Sequence, residues 1–230
     1  MAQELLGQHA DHLQQLIELG IALSAERNHD RLMEKILLGA KDLTHADGGT
    51  LYLMEQEGRA LGFAILRNDT LGIAMGGTTG NAIPFPPVSL YDASGAPNRK
   101  NVSAHTALSG TTVNIADAYE VAEFDFSGTK AFDAKTGYRS KSFLNVPLRN
   151  HDREIIGVLQ LINARTADGD VVAFPADIVP LIAALGSQAA VALDNQSLID
   201  AQRRLFTSFI ELIAGAIDAK SAYTGGHCRR

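Results

Sequence analysis

The 230-residue sequence has no tryptophan and a single cysteine, Cys228. One thiol excludes an intramolecular disulfide and a cysteine cluster for zinc, and it suits a reducing compartment. Cations are also in short supply. Twenty Lys and Arg face 26 Asp and Glu, the formal net charge is -6, and no basic stripe appears. Clustered cations are what neutralise nucleic-acid phosphates, so no nucleic-acid partner is expected. No apolar run approaches the roughly 18 residues that span a bilayer. The opening MAQELLGQHADHLQQL lacks a basic region and a continuous apolar stretch, so it does not read as a secretion signal. A cytoplasmic chain without a membrane segment is the expectation. In such a chain the sequons at Asn68, Asn101 and Asn195 are chance matches. Catalytic patterns are missing too. There is no Gly-x-Ser-x-Gly elbow, and Gly76-Gly77-Thr78-Thr79-Gly80 lacks the Gly-Lys-Ser/Thr ending of a phosphate loop. His9 and His12 stand three apart on a helical stretch with no third ligand near. No catalytic residue, cofactor or metal is expected in these residues.

What is present is a normal globular core, with 46% hydrophobic residues. Leu13, Leu16, Ile17 and Ile21 mark a helix over 9–25. Asn28 or Asp30 can cap a second helix over 31–43, which Asp47-Gly48-Gly49 is expected to end. Strands are expected over 50–55 and 60–67, with a third over 71–75. Residues 76–98 hold four of the seven prolines and read as a long loop with a short strand over 88–91. A helix over 101–109, a strand over 111–115, a loop over 117–129 and a helical turn over 130–136 follow. Strands over 141–149 and 154–163 come next. Pro175 then suits the first turn of a long helix that begins at Ile178. Its apolar period continues through Leu205, Phe209, Ile213 and Ile217, with a break near Asn195 as the alternative. The fold class read from this order is α+β: an antiparallel sheet with N- and C-terminal helices packed on one face and a loop-covered pocket on the other.

The most informative stretch is GYRSKSFLNVPLRNHDREIIGVLQLIN, residues 137–163. Two apolar strands each carry one polar side chain, Asn145 and Gln160, which alternation places opposite in sense to the neighbouring leucines. Such groups either serve a ligand or satisfy each other inside the core. A second cluster, Phe124, Phe126, Phe132, Asp133, Tyr138 and Arg139, offers aromatic walls with a few polar groups, as a planar ligand requires. Arg139 could grip a phosphate or carboxylate, and Asp133 could accept from a base or hold Arg139. Ordinary loop packing and a surface ion pair account for the same residues equally well. Asn68 and Asp69, in the turn after the second strand, complete the candidate pocket.

The segment LNVPLRNHDREIIGVLQLIN resembles the second half of GAF domains, small-molecule sensor modules, over about residues 10–195. NDTLGIAMGG and FDFSGTKAFDAKTGYRSKSFL are similar to GAF domains that precede HD-GYP phosphodiesterase domains in bacterial proteins. IELIAGAIDAKSAYTGGHC resembles the start of an HD-GYP domain, in which His227 would match the first metal-binding histidine. The resemblance implies a sensor domain over 1–195, with its first helix at 9–25 and core at 30–195. Residues 196–230 would be a helical linker and the start of an HD-GYP domain. It further implies a fragment without its own catalysis and a divalent metal pair only in the missing HD-GYP part. The expected output is hydrolysis of a cyclic dinucleotide, and the expected assembly is a homodimer through the first and last helices. The ligand is an unknown small molecule, a cyclic nucleotide being one implied choice. In nucleotide-binding GAF domains of mammalian phosphodiesterases an Asn-Lys…Phe…Asp-Glu signature occurs. Asn163 and Phe174 match it, but Ala164 replaces the Lys and Ile178 the acidic residue, so its Lys–Asp contact has no counterpart. A ligand-free dimerisation and spacer module, its pocket filled by Phe124, Phe126 and Tyr138, is the competing expectation.

Overall fold

The computed structural model describes the backbone of residues 2–224 and the side chains of residues 12–215. His9, His227 and Cys228, and the candidate roles read into them, lie outside the described side chains. Helix α1 covers Ala2–Ala25 and α2 covers His29–Thr44. The Asn28 side chain caps α2 by accepting from the Arg31 N–H, and His45 closes it in the left-handed conformation.

Strand β1, Ala46–Glu55, begins earlier than the sequence suggests. Asp47-Gly48-Gly49 reads as a breaker, yet it lies inside the strand because a side chain would not fit there. A Cβ on Gly49 would stand 2.8 Å from Leu37 Cδ1 and 3.0 Å from the Gln160 carbonyl oxygen. The remaining strands are β2 (Ala60–Asn68), β3 (Ile73–Gly76), β4 (Val88–Ser89), β5 (Val113–Ile115), β6 (Phe143–Arg149), β7 (Ile155–Arg165) and β8 (Val171–Val172). They form one antiparallel sheet in the order β3-β2-β1-β7-β6-β5, with β4 on β2 and β8 on β7. Two short helices, α3 (Val102–Ser109) and α4 (Ser127–Thr136), sit between β4 and β6 in sequence. The α+β architecture is as the apolar patterning predicts.

Alternation sorts the sheet into two faces. Leu51, Leu159 and Val146 stand side by side across β1, β7 and β6. They join Ile36 and Leu37 of α2, Leu16 and Leu23 of α1, and Ile182, Leu185 and Leu193 of the last helix in the main core. The next row, Thr50, Gln160 and Asn145, points to the other face. There α3 and the loops cover the sheet, and two smaller apolar clusters form around Tyr52 and Phe143.

The last helix, α5, is continuous over Ile178–Thr224, without a break at Asn195. The chain divides into two compact units, 1–193 and 194–230. The second unit exposes Leu198, Ile199, Leu205, Phe206, Phe209, Ile210, Leu212 and Ile213. Within it, Arg203 pairs with Asp200 on the same helix. By length and composition alone, Ile178–Gly215 is apolar enough to cross a membrane, which the sequence reading did not expect. Part of that apolar character is spent on the core, where Ile182, Leu185, Ala189 and Ala190 are fully buried.

Candidate functional site

A cavity of 420 Å³ lies on the face of the sheet away from α2. Its floor is Thr50 and Tyr52 of β1 with Gln160 and Ile162 of β7. Phe63, Arg67 and Asn68 of β2 and Met75 of β3 make one wall. The starts of α3 and α4 make the opposite wall through Val102, Ser103, Phe126, Thr129 and Phe132. Aromatic pairs stiffen this lining. Tyr52 and Phe63 have ring centroids 4.8 Å apart, Phe63 and Phe85 are 5.5 Å apart, and Phe126 and Phe143 are 5.0 Å apart.

Five of the ten candidate residues line this cavity: Asn68, Phe126, Phe132, Tyr138 and Gln160. The other five do not. Asn145 is fully buried and donates to Ser103 Oγ at 3.0 Å, because α3 lies over it. Phe124 packs edge-on against His105 in a small core cluster. Asp69 is 71% exposed and pairs with Lys41 at 2.6 Å. Asp133 does not hold Arg139. It is buried and accepts from the Ser140 N–H, the Ser140 hydroxyl and the Tyr119 hydroxyl, each at 2.8 Å. That carboxylate also pushes the Tyr119 phenol above its usual range. Arg139 is 62% exposed, stacks 4.3 Å over the Tyr119 ring and stands 3.7 Å from Asp117. It is not among the residues that line the cavity.

The polar floor is a shared network. Ser103 Oγ accepts from Asn145 and from Gln160 Nε2 at 3.1 Å. Gln160 also reaches Asn145 Oδ1 and receives the Tyr52 hydroxyl, both at 3.4 Å. Burial pushes the Tyr52 phenol up to about 12, so it is a neutral donor at physiological pH. The two strand amides thus satisfy each other through a helix serine, while Gln160 keeps a face on the cavity.

Two residues that matter here, Asp47 and Arg67, escape a reading of the sequence, and a third, Asn163, shows there only as a signature match. Asp47, which reads with Gly48-Gly49 as a helix breaker, is buried and accepts from the Tyr138 hydroxyl at 2.6 Å, from Thr70 Oγ1 at 2.8 Å and from Arg165 Nη2 at 3.0 Å. Burial first and then the Asp47 carboxylate push the Tyr138 phenol well above its ordinary value. Asn163, with φ of 58°, holds the 138–142 segment through its amide. Arg67 lies against the cavity but is tied to Glu34 of α2 at 2.5 Å and to the Met75 carbonyl at 2.6 Å. A lone cation inside the apolar run ALGFAILR was the available signal.

No group of three potential metal ligands occurs among the described residues. The chain contains two His-Asp dipeptides, His29-Asp30 at the start of α2 and His151-Asp152 in the β6–β7 turn. Neither belongs to such a group. The residues 28–193 contain no cysteine, so this region has no thiol for redox chemistry.

Residues 28–193 match the GAF domain family. The chain is similar to the dual 3',5'-cyclic-AMP and -GMP phosphodiesterase 11A of Takifugu rubripes, with 29% identity over 188 residues. That alignment covers 82% of this chain and 19% of the relative. The corresponding phosphodiesterase 11 of Drosophila melanogaster is 30% identical over 156 residues, covering 66% of this chain and 10% of the relative. The chain therefore spans less than a fifth of the length of these relatives. Among solved structures, the GAF domain of an Acinetobacter phosphoenolpyruvate-protein phosphotransferase superposes with a TM-score of 0.60 at 13% identity. It covers 83% of this chain and 97% of that domain. The free methionine-R-sulfoxide reductase of Neisseria meningitidis, in complex with its substrate, gives 0.58 at 13% identity, covering 82% and 91%. At such identities the likeness speaks for the fold alone. Fold and family agree: this chain belongs to the GAF domain family, a class of regulatory sensor domains.

Proposed function

We propose that the chain is the sensor part of a larger signalling phosphodiesterase, binding a small molecule in the 420 Å³ cavity and biasing the output through α5. The observation that carries this reading is the open, aromatic-walled volume with a polar floor. The phosphodiesterase relatives support the kind of output. The resemblance of the segment ending TGGHC supports an HD-GYP domain acting on a cyclic dinucleotide, with its divalent metal pair there. A ligand can shift that output only through its different affinity for two states of the protein. The setting is the cytoplasm of a bacterium.

Pairing of two copies is the second part of the proposal. Leu198, Leu205 and Leu212 recur every seven residues, with Phe209 between them, all exposed within their own unit. That spacing fits a coiled-coil seam, and Gln202 in its middle would fix the register. On α1, Leu13, Ile17 and Ile21 form a further exposed stripe. Light scattering should give the mass of two chains for the wild type and of one for Leu205→Glu combined with Phe209→Glu. A single-chain mass for the wild type at tens of micromolar would count against pairing.

The output is tested on the parent protein. It should hydrolyse cyclic di-GMP, the 230-residue chain should not, and Ile162→Trp, which fills the cavity, should uncouple the parent from its signal. Turnover by the isolated chain would contradict the reading. The spacer alternative is weakened by Phe124, which packs in a core cluster and leaves the volume open.

A further inference from the structure

The charge inside the cavity narrows what it can hold, given that it is a ligand site. Two charged residues border it, Asp125 and Arg67, but the Arg67 side chain is directed to the α2 face, since Arg67 pairs with Gly49, where a Cβ would meet Leu37 of α2. Arg67 is buried and fully committed. Its Nη1 donates to the Leu66 and Met75 carbonyls at 2.9 and 2.6 Å, and its Nη2 donates to Glu34 Oε1 at 2.5 Å. Glu34 is in turn held by the Thr78 hydroxyl at 2.6 Å. Other cations around the site have partners, Lys100 donating to the Glu123 carbonyl at 3.3 Å. Lys41 pairs with Asp69, while Lys130 and Arg139 lie over the Tyr119 ring. Asp125, at the exposed end of the lining, accepts from the Ser127 N–H at 2.8 Å. It brings negative charge, not positive, to the start of α4.

An anion entering this volume would lose water and meet no free cation, and such a charge is costly to bury. A flat neutral ring meets the opposite conditions. Tyr52, Phe63, Phe126 and Phe132 offer ring faces. Gln160 holds two of its bonds at only 3.4 Å, so its amide can turn part of its capacity to a ligand edge. Asn68 uses its oxygen on the Leu71 N–H at 2.8 Å, and its side chain also hydrogen-bonds Tyr138, so it is part of the wall without a free donor.

We infer that the cavity selects a flat heteroaromatic molecule without an anionic group, its polar edge on the Gln160–Ser103 floor, and discriminates against cyclic nucleotides and other phosphates or carboxylates. This rests on the sensor reading. Discrimination rests on the lining itself, in which no cationic side chain faces the cavity among the described residues.

The test uses ring-matched pairs that differ in charge: guanosine and cyclic GMP, adenosine and cyclic AMP, riboflavin and its 5'-phosphate, indole and indole-3-carboxylate. Affinities are measured by calorimetry on the chain and on Thr129→Lys, which introduces a cation at the cavity wall. A neutral member should bind the wild type at least tenfold more tightly than its anionic mate. Thr129→Lys should narrow or reverse that ratio by adding a cation to the lining. Equal or tighter binding of the anionic member to the wild type overturns the inference while leaving the sensor reading intact. Binding by none of the eight compounds overturns the inference, and it turns against the sensor reading if the broader screen described below is also blank. The wild-type comparison stands even if the variant fails to fold.

Discussion

Asp47→Ala should lower the unfolding free energy by about 3 kcal/mol, at the lower end of what removing one partner of a buried ion pair costs. Asp47 is 2% exposed and receives three donors, from Tyr138, Thr70 and Arg165. Removing it leaves the buried Tyr138 hydroxyl proton without its acceptor, although the oxygen still accepts from Asn163 Nδ2. It also leaves the Arg165 guanidinium, whose Nε is already buried without a partner, with Thr70 as its one remaining bond. The lower end applies because the Arg165 side chain is 35% exposed and can recover some hydration. For a domain of this size the effect corresponds to a fall in Tm of roughly 6–12 °C. Asp47→Asn should lie between the two, since the amide oxygen still accepts. Urea unfolding of all three proteins is the measurement, and a loss within about 0.5 kcal/mol for Asp47→Ala, the range of an ordinary surface change, would contradict this role.

Asn163→Asp should be as damaging, although it changes a single atom. Asn163 is buried with a left-handed backbone, a conformation asparagine tolerates better than most residues. Its Oδ1 accepts from the Lys141 and Ser142 N–H groups at 2.7 and 3.2 Å. Its Nδ2 donates to the Tyr138 hydroxyl at 2.9 Å and the Arg139 carbonyl at 2.8 Å. A carboxylate keeps the first pair and turns the second into oxygen facing oxygen. The Tyr138 proton cannot relieve this, because it is committed to Asp47. The expected loss is about 3 kcal/mol, from two forfeited hydrogen bonds and a buried unpaired charge. Asn163→Gly, which keeps the backbone conformation, should cost about 2 kcal/mol, and Asn163→Ala somewhat more. Hydrogen exchange at Lys141 and Ser142 should accelerate in the Gly and Ala variants. A Gly variant as stable as wild type would show that the backbone, not the amide, is what Asn163 supplies.

These two residues mark where sequence reading stops. The strands, the long last helix and the inward leucines follow from apolar periodicity, which is a property of neighbours along the chain. Asn145 and Gln160 were visible because each interrupts an apolar run. What separates them is Ser103, 42 residues before Asn145, and only the packing of α3 shows that one amide is roofed over while the other faces the cavity. Asp47 was hidden for a similar reason. Asp-Gly-Gly is turn chemistry locally, but close approach of Leu37 and the Gln160 backbone makes it strand. Arg139 and Asp133 stand near each other in sequence and were natural partners. Tyr119 lies between their roles, accepting the guanidinium on its ring and donating its hydroxyl to the carboxylate. Asn163 matched a nucleotide-binding signature, yet its amide is spent on the 138–142 segment.

The most direct measurement is a thermal-shift screen of a broad metabolite library against the wild type and Ile162→Trp in parallel. A ligand of the cavity at about one hundred times its Kd should stabilise the wild type by about 2.7 kcal/mol, or roughly 5–10 °C in Tm, and leave Ile162→Trp unmoved. No stabilisation of the wild type by any compound, together with a higher Tm for Ile162→Trp than for the wild type, would contradict a sensor and favour a spacer whose cavity is an unfilled flaw.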